Sequence, residues 1–547
     1  MTKQRNIETK GIFVAISALF LVFLLYPMIK VLTNAFVDNN TISFQFVIEV
    51  ITGKNFAAAV GNSLVVSLAS AGIATLLAFT LAYSIHYTNL PYAVKKGIEV
   101  LAVLPMLLPT ITYGFAIIYS FGKQGLLTKL FGAQLFDIYG YSGLIIGYVI
   151  YTLPISFMLI HNTMGYIDKK FMIVSQVMGD NKVKIFYSTI LRPLSSTFAA
   201  SMIQCFFLSF TDYGIPASVG GKVQVIVGLL YDEMLGSIPN FNNGAVIALI
   251  MLLPSIVSIA ILQYLERYNV RYTRISVIEL KKNKVRDISL GVASAGILAC
   301  VLSVFAVIFL VPFIKEWPYR LNFTLENVKN VLTDSALTGV YRNSLYVAIL
   351  TAVIGTLIVY GGALVTARSN MSGKYKRVIE GTAMVTNTIP GMVLGIAFML
   401  AFTGTSLQGS FAIMILCNIV HFFSTPYLMM KGSLEKMNAS WETTARLMGD
   451  NWVKTVLRIV TPNTFSTLLE SFSYFFINAM VTVSAVIFIV GARTMILTAK
   501  IKELQHYTKF NEVFVLSLLI LFTNLLAKGI LQFLANKNKR KKKEDKK

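Results

Sequence analysis

Twelve apolar runs, most of them long enough to cross a bilayer, dominate this 547-residue chain. They lie near residues 11–29, 59–85, 97–120, 141–162, 194–212, 243–265, 288–313, 340–367, 381–404, 409–430, 464–490 and 512–535. A hydrocarbon core of about 30 Å needs roughly 20 helical residues per crossing. Inside that core every backbone N–H and C=O must be paired within the protein, which favours helices for such runs. Charged residues make up 13% of the chain, about half the usual share of a soluble domain. That is too few to coat a water-soluble globule of this length. The expected fold class is all-α integral membrane, with about twelve transmembrane helices.

The net charge of +23 would suggest nucleic acid in a soluble protein. Here the basic residues sit at the ends of apolar runs, where positive charge marks the cytoplasmic side. Lys3, Arg5 and Lys10 precede the first run, and Lys95 and Lys96 follow the second. Lys169, Lys170, Lys182, Lys184 and Arg192 follow the fourth. Arg267, Arg271, Arg274, Lys281, Lys282, Lys284 and Arg286 follow the sixth, and eight basic residues lie between Lys537 and Lys547. With twelve spans all these clusters share one side. Both termini are therefore expected in the cytoplasm, the chain being multi-pass in the plasma membrane. The first run is read as a retained span, because bulky residues rather than a small-residue cleavage site follow it. Cys205, Cys300 and Cys417 are isolated, as are His86, His161, His421 and His506, so no metal site or disulfide framework is expected.

Internal repetition shows next. Asn62-Ser63-Leu64 recurs as Asn343-Ser344-Leu345, and Pro109 and Gly114 recur, at the same interval, as Pro390 and Gly395. Met178-Gly179-Asp180-Asn181 recurs, at a somewhat shorter interval, as Met448-Gly449-Asp450-Asn451. The chain thus reads as two tandem six-span repeats. The expected divisions are 1–265, a polar linker at 266–287, 288–535, and a basic tail at 536–547. An even number of spans per repeat gives both the same orientation, with a pseudo-two-fold axis along the membrane normal and a path on that axis.

Each Met-Gly-Asp-Asn sits between helix-compatible stretches, with Pro193 or Pro462 marking the start of the following span. Glycine can take the left-handed conformation that closes a helix, and the following Asp can cap the next one. Two short helices meeting at a protruding corner are expected, a shape that a partner's groove can grip.

These loops resemble the cytoplasmic signature of binding-protein-dependent ATP-binding-cassette permeases: E-A-A, three residues, Gly, nine residues, I-x-L-P. Gly449, Ile459 and Pro462 fit that spacing. Thr443-Thr444-Ala445 occupies the E-A-A positions, with Glu442 one place early; the first copy reads Ile173-Val174-Ser175, and its Pro193 comes one residue late. The resemblance covers nearly the whole chain. It implies a type I importer fold, with Gly179, Asp180, Gly449, Asp450 and Glu442 in loops that couple to a separate ATPase subunit, expected as a homodimer. It also implies an extracellular substrate-binding protein. No G-x-x-x-x-G-K-[ST] phosphate loop occurs in the sequence. ATP hydrolysis is accordingly assigned to that other subunit, and neither catalysis nor a bound cofactor is expected of this chain.

Fused permeases of this length resemble the group handling ferric iron, 2-aminoethylphosphonate, thiamine and polyamines. The stretch from Thr211 to Gly221 looks like the ferric iron and 2-aminoethylphosphonate members, and Val481 to Ala485 is its counterpart. Asp212, Tyr213, Thr482 and Ser484 are the candidate path residues. An acid at membrane depth is a functional candidate, and an interfacial Asp capping the Gly-Pro segment is the competing reading. A secondary transporter would also use repeats, but would place ionisable residues within its spans.

Overall fold

The computed structural model describes residues 2–38, 41–134, 136–266, 282–438 and 440–544. Most of the linker expected at 266–287, with Arg267, Arg271, Arg274 and Lys281, lies outside the described residues, as do Asp545 to Lys547. Among the described residues the regular structure is helical, apart from two short antiparallel hairpins, Val37–Asp38 with Thr41–Ile42 and Ile314–Glu316 with Arg320–Phe323.

Among the described residues, eight helices are long and apolar enough to cross a membrane: Ile7–Phe36, Phe56–Tyr87, Tyr141–Met164, Lys182–Thr211, Phe241–Leu262, Lys284–Phe313, Ser335–Arg368 and Phe510–Asn538. Three further runs are bent pairs, which bring the number to eleven if each counts as one span. The expected spans at 97–120 and 381–404 fall on two of these bent pairs. The chain turns by 107° between Tyr92–Leu107 and Thr110–Phe131, and by 106° between Gly373–Thr388 and Gly391–Phe402. The repeated prolines are the cause. Pro109 and Pro390 disfavour helical geometry in the residue before them. Leu108 is accordingly extended at φ −119°, ψ 149°, and Ile389 at φ −87°, ψ 118°. Each proline then stands at the cap of a new helix, where its missing N–H is not needed.

The run at 409–430 is also bent, by 55° between Phe411–His421 and Ser424–Glu435. The expected span at 464–490 is a helix only over Thr461–Val481, after which residues 482–496 run in turns and a short 3-10 segment. Pro193 and Pro462 stand in the first turn of Arg192–Thr211 and Thr461–Val481, the helices of the fifth and eleventh apolar runs. Each sits in a continuous helix, directly after a five-residue π-helical turn, Tyr187–Leu191 or Val456–Val460. In these turns the Arg192 N–H reaches back to Tyr187 O, and that of Thr461 to Val456 O. A widened turn of this kind thus precedes each proline. Leu21–Leu25 ahead of Pro27 repeats the device.

The chain folds as two compact units. One comprises the described residues of Met1–Val47, Phe241–Leu252 and Asn327–Lys547; the other comprises those of Ile48–Asn240 and Leu253–Glu326. The first helix of the chain thus belongs with the second repeat. In that unit Phe20 packs edge-on against Phe423 at 4.6 Å, and Phe13 against Tyr375 at 5.1 Å. Conversely, Lys284–Leu310 belongs with the first repeat, where Ser294 Oγ donates to Ser84 Oγ at 2.7 Å and Phe305 packs against Tyr113.

Candidate functional site

The two Met-Gly-Asp-Asn loops have the same construction. In the first, Lys170–Val177 ends at Met178, Gly179 takes φ +81°, and Lys182–Phe186 follows. In the second, Ser440–Leu447 precedes Gly449 at φ +85°, and Trp452–Thr455 follows. The positive φ is the left-handed conformation that only glycine adopts without strain. The N–H after each glycine returns to the preceding helix, Asp180 to Ser175 O at 3.1 Å and Asp450 to Ala445 O at 3.0 Å. Met178 and Met448 stand exposed at the two corners.

The cap of the second short helix is not the Asp. Asn181 Oδ1 accepts the Lys184 N–H at 2.8 Å, and Asn451 Oδ1 accepts that of Lys454 at 2.8 Å. Asn181 and Asn451 carry the extended backbone of a cap residue, ψ 163° and 167°, whereas each Asp sits one place too early. Asp180 instead accepts the Ser175 hydroxyl at 2.6 Å and pairs with Lys184 at 2.6 Å. Lys184 and Ser175 hold its carboxyl below the usual carboxylate range. Asp450 pairs with Lys454 in the same way.

Glu442 has a partner that the sequence did not reveal. Arg368, the last residue of Ser335–Arg368, donates through Nε to Glu442 Oε1 at 2.9 Å. Its Nη1 and Nη2 donate to the Met437 and Asn438 carbonyls at 2.8 and 3.2 Å. The pair is nearly dry, with side-chain exposures of 5% and 11%. The first repeat solves the same junction differently. Tyr87 is the counterpart of Arg368, by the interval that relates Asn62 to Asn343. Lys169 lies over the Tyr87 ring while donating to the His86 carbonyl at 2.7 Å.

The repeated Asn-Ser pair also proves to be machinery. Asn62 Nδ2 donates to Gln224 O at 2.9 Å, and Ser63 Oγ accepts the Ile226 N–H at 2.8 Å. Asn343 Nδ2 donates to Met495 O at 3.1 Å, and Ser344 Oγ accepts the Leu497 N–H at 2.7 Å. In both repeats the Asn-Ser pair fastens the start of a ten-residue helix, Ile226–Leu235 or Leu497–His506, to the side of a long one.

The candidate path residues lie on the segments between these fastenings. Asp212 follows the Arg192–Thr211 helix, and its buried Oδ2 accepts the Ile215 N–H at 2.9 Å. That is the geometry of a local cap on the Gly-Pro turn. Tyr213 is buried and stacks on Tyr231 at 4.7 Å. Thr482 is buried directly after Val481, and Ser484 is half-buried. Both segments press closely on the broken-span corners. A Cβ on Gly391 would lie 2.6 Å from Ser484 Oγ and 3.2 Å from His421 Nε2. In the first repeat the sizes are exchanged: Thr110 stands where the second has Gly391, and Gly214, whose Cβ would collide with Thr110 Oγ1, where it has Ser484. Each close approach is met by one hydroxyl and one glycine. Among the described residues no group of three His, Cys, Asp or Glu could hold a metal ion.

Comparison with known proteins sets these features in a family. The family described as "Binding-protein-dependent transport system inner membrane component" matches twice, over residues 74–271 and 358–540. The chain is 26% identical to a ferric transport system permease protein of Actinobacillus pleuropneumoniae over 511 residues, 90% of this chain and 73% of the relative. It is 26% identical over 496 residues to a putative ferric transport system permease protein of Haemophilus influenzae, covering 87% and 77%. A bacterial ABC transporter involved in the import of the acidic polysaccharide alginate aligns at a TM-score of 0.38 and 17% identity, covering 48% of this chain and 99% of that one. With both matches on the two loop-bearing repeats, the chain belongs to the binding-protein-dependent transport system inner membrane components, as a fused two-repeat permease of an ATP-binding-cassette importer.

Proposed function

We propose that each Met-Gly-Asp-Asn corner docks into one copy of a separate ATP-hydrolysing subunit, so that a homodimeric ATPase engages the two repeats of this one chain. The observation that carries the reading is the duplicated corner: two glycines at φ +81° and +85°, each followed by an Asn-capped helix, with an exposed methionine at the tip. A short, rigid, apolar-tipped projection suits a groove on a partner. The basic excess at the ends of the helices supports an orientation with both termini and both corners in the cytoplasm. Hydrolysis belongs to the partner and the chain itself catalyses no reaction.

The solute is delivered by an extracellular binding protein. The named relatives are ferric transport permeases, which favours ferric iron over 2-aminoethylphosphonate, thiamine or polyamine. The segments around Asp212–Tyr213 and Thr482–Ser484 are proposed to border the path. Asp212 serves it by shaping its segment, since its carboxylate is committed to the Ile215 N–H. The test is reconstitution of the permease with its ATPase and binding protein in lipid vesicles. Binding protein loaded with ferric iron should stimulate ATP hydrolysis and iron uptake together. Stimulation by 2-aminoethylphosphonate, thiamine or spermidine and not by iron would reject the substrate.

A further inference from the structure

The two repeats hold the helix that enters each loop by related but chemically different contacts. In the second repeat Lys431 Nζ meets Glu380 Oε1 at 2.7 Å, and Glu435 stands 3.7 Å away. Glu99 precedes Glu380 by the interval that relates Asn62 to Asn343, and His161 precedes Lys431 by the interval that relates Gly179 to Gly449. So the first repeat keeps the acid and replaces the lysine by a histidine. His161 Nε2 faces Glu99 Oε1 at 4.0 Å, beyond hydrogen-bond reach, while its Nδ1 lies 3.1 Å from His86 Nε2. The second repeat has Ala367 in place of His86.

The pair sits where the loop departs. His86 is one residue from the end of Phe56–Tyr87, and His161 is three from the end of Tyr141–Met164. Gly165, the first residue beyond that helix, lies against the His86 ring. The charges around the pair are arranged asymmetrically. Lys169, from the loop, and Lys95, from Tyr92–Val103, hold the carbonyls of His86 and Thr88 at 2.7 Å each. Lys96 Nζ shares Glu99 at 2.7 Å. Arg286 and Asp287, on Lys284–Leu310, pair with each other, and Asp287 also accepts the Asn89 N–H. Lys169 and Lys95 therefore face the His86 end, while Glu99, shared with Lys96, faces His161.

We propose that His161 and Lys431 are positioning residues that pin the helix entering each loop to the matching acid of its own repeat, and that the His161 pin closes only when a proton is taken up. One added proton makes His161 an imidazolium. Its Nδ1–H then donates to His86 Nε2, which remains neutral with its own hydrogen on Nδ1, and its Nε2–H turns to Glu99 as a charged donor. No other atom is exchanged. Lys431 is already in contact with Glu380 at 2.7 Å, so the second loop is pinned as it stands and the first is held by pH. The functional side of this inference rests on the coupling reading of the loops.

The test uses the full-length permease in lipid bilayers, with Cys300→Ser and a spin label at Gln176→Cys or, separately, Thr444→Cys. Between about pH 7.5 and about pH 5.5, either side of the ordinary histidine range, the label at 176 should slow severalfold while that at 444 holds constant. His161→Lys should keep the label at 176 slow at every pH, and His161→Phe should keep it fast. Lys431→His should transfer a pH response to the label at 444. A wild-type label at 176 that ignores pH, or a response that survives His161→Phe, overturns the proposal. If the labels behave as described while the pH profile of ATP hydrolysis in the assembled transporter is the same for wild type and His161→Lys, the pin stands and the coupling reading falls.

Discussion

Arg368 and Glu442, 74 residues apart, form a nearly dry ion pair at 2.9 Å that ties the end of a long helix to Ser440–Leu447, the short helix before Gly449. Removing one partner of a buried pair leaves the other charge uncompensated, at a cost of about 3–5 kcal/mol. Arg368→Leu should therefore loosen residues 436–451 while the remainder of the unit stays folded. Limited proteolysis in detergent should cut this loop in the variant and spare the first loop. Glu442→Gln keeps a hydrogen-bond acceptor for Nε and should loosen the loop less. Equal protection of wild type and Arg368→Leu would show that the pair is dispensable.

Ser63 and Ser344 each accept the first N–H of a helix distant in sequence. Loss of a cap of this kind costs about 0.5–2 kcal/mol. Ser63→Ala should raise hydrogen exchange at Ile226 to Leu229 about two- to thirtyfold, and leave the Leu497–His506 helix unchanged. Ser344→Ala should do the converse. Exchange that rises in both helices for either variant would mean the two fastenings are not independent.

The exchanged sizes at the two corners predict a compensating pair. Gly391→Thr places a side chain against Ser484 and His421, an overpacking worth about 1–3 kcal/mol. Adding Ser484→Gly reproduces the Thr110–Gly214 arrangement of the first repeat and should recover most of the loss. The check is the thermal midpoint of the single and double variants in detergent. A double variant no more stable than Gly391→Thr alone would contradict the equivalence of the corners.

Much of this was legible in sequence because membrane helices declare themselves by composition, and the eight long helices fall where the apolar runs do. The broken spans were not legible, since hydropathy is the same whether a run crosses or turns back. Pro109 and Pro390 were visible as repeated landmarks, yet their effect depends on the chain leaving the helix axis after Leu108 and Ile389. The positive φ of Gly179 and Gly449 followed from residue chemistry alone. The cap did not, because Asp and Asn compete at adjacent positions and only the backbone at Asn181 and Asn451 decides between them. Arg368–Glu442 and Ser63–Ile226 join residues 74 and 163 positions apart. No local spacing encodes such a partnership.

Coupling through the two glycine corners is tested most directly by Gly449→Val and Gly179→Val. A Cβ at either position meets nothing within 4 Å, so the only penalty is the positive φ, about 1–3 kcal/mol. That strain is confined to the corner and leaves the packed helices intact. Both variants should reach the membrane in wild-type amounts, while uptake and substrate-stimulated ATP hydrolysis fall together, at least as far for Gly449→Val as for Gly179→Val. Full transport by both variants, with the ATPase still retained on purification, would contradict the assignment of these loops as the coupling elements.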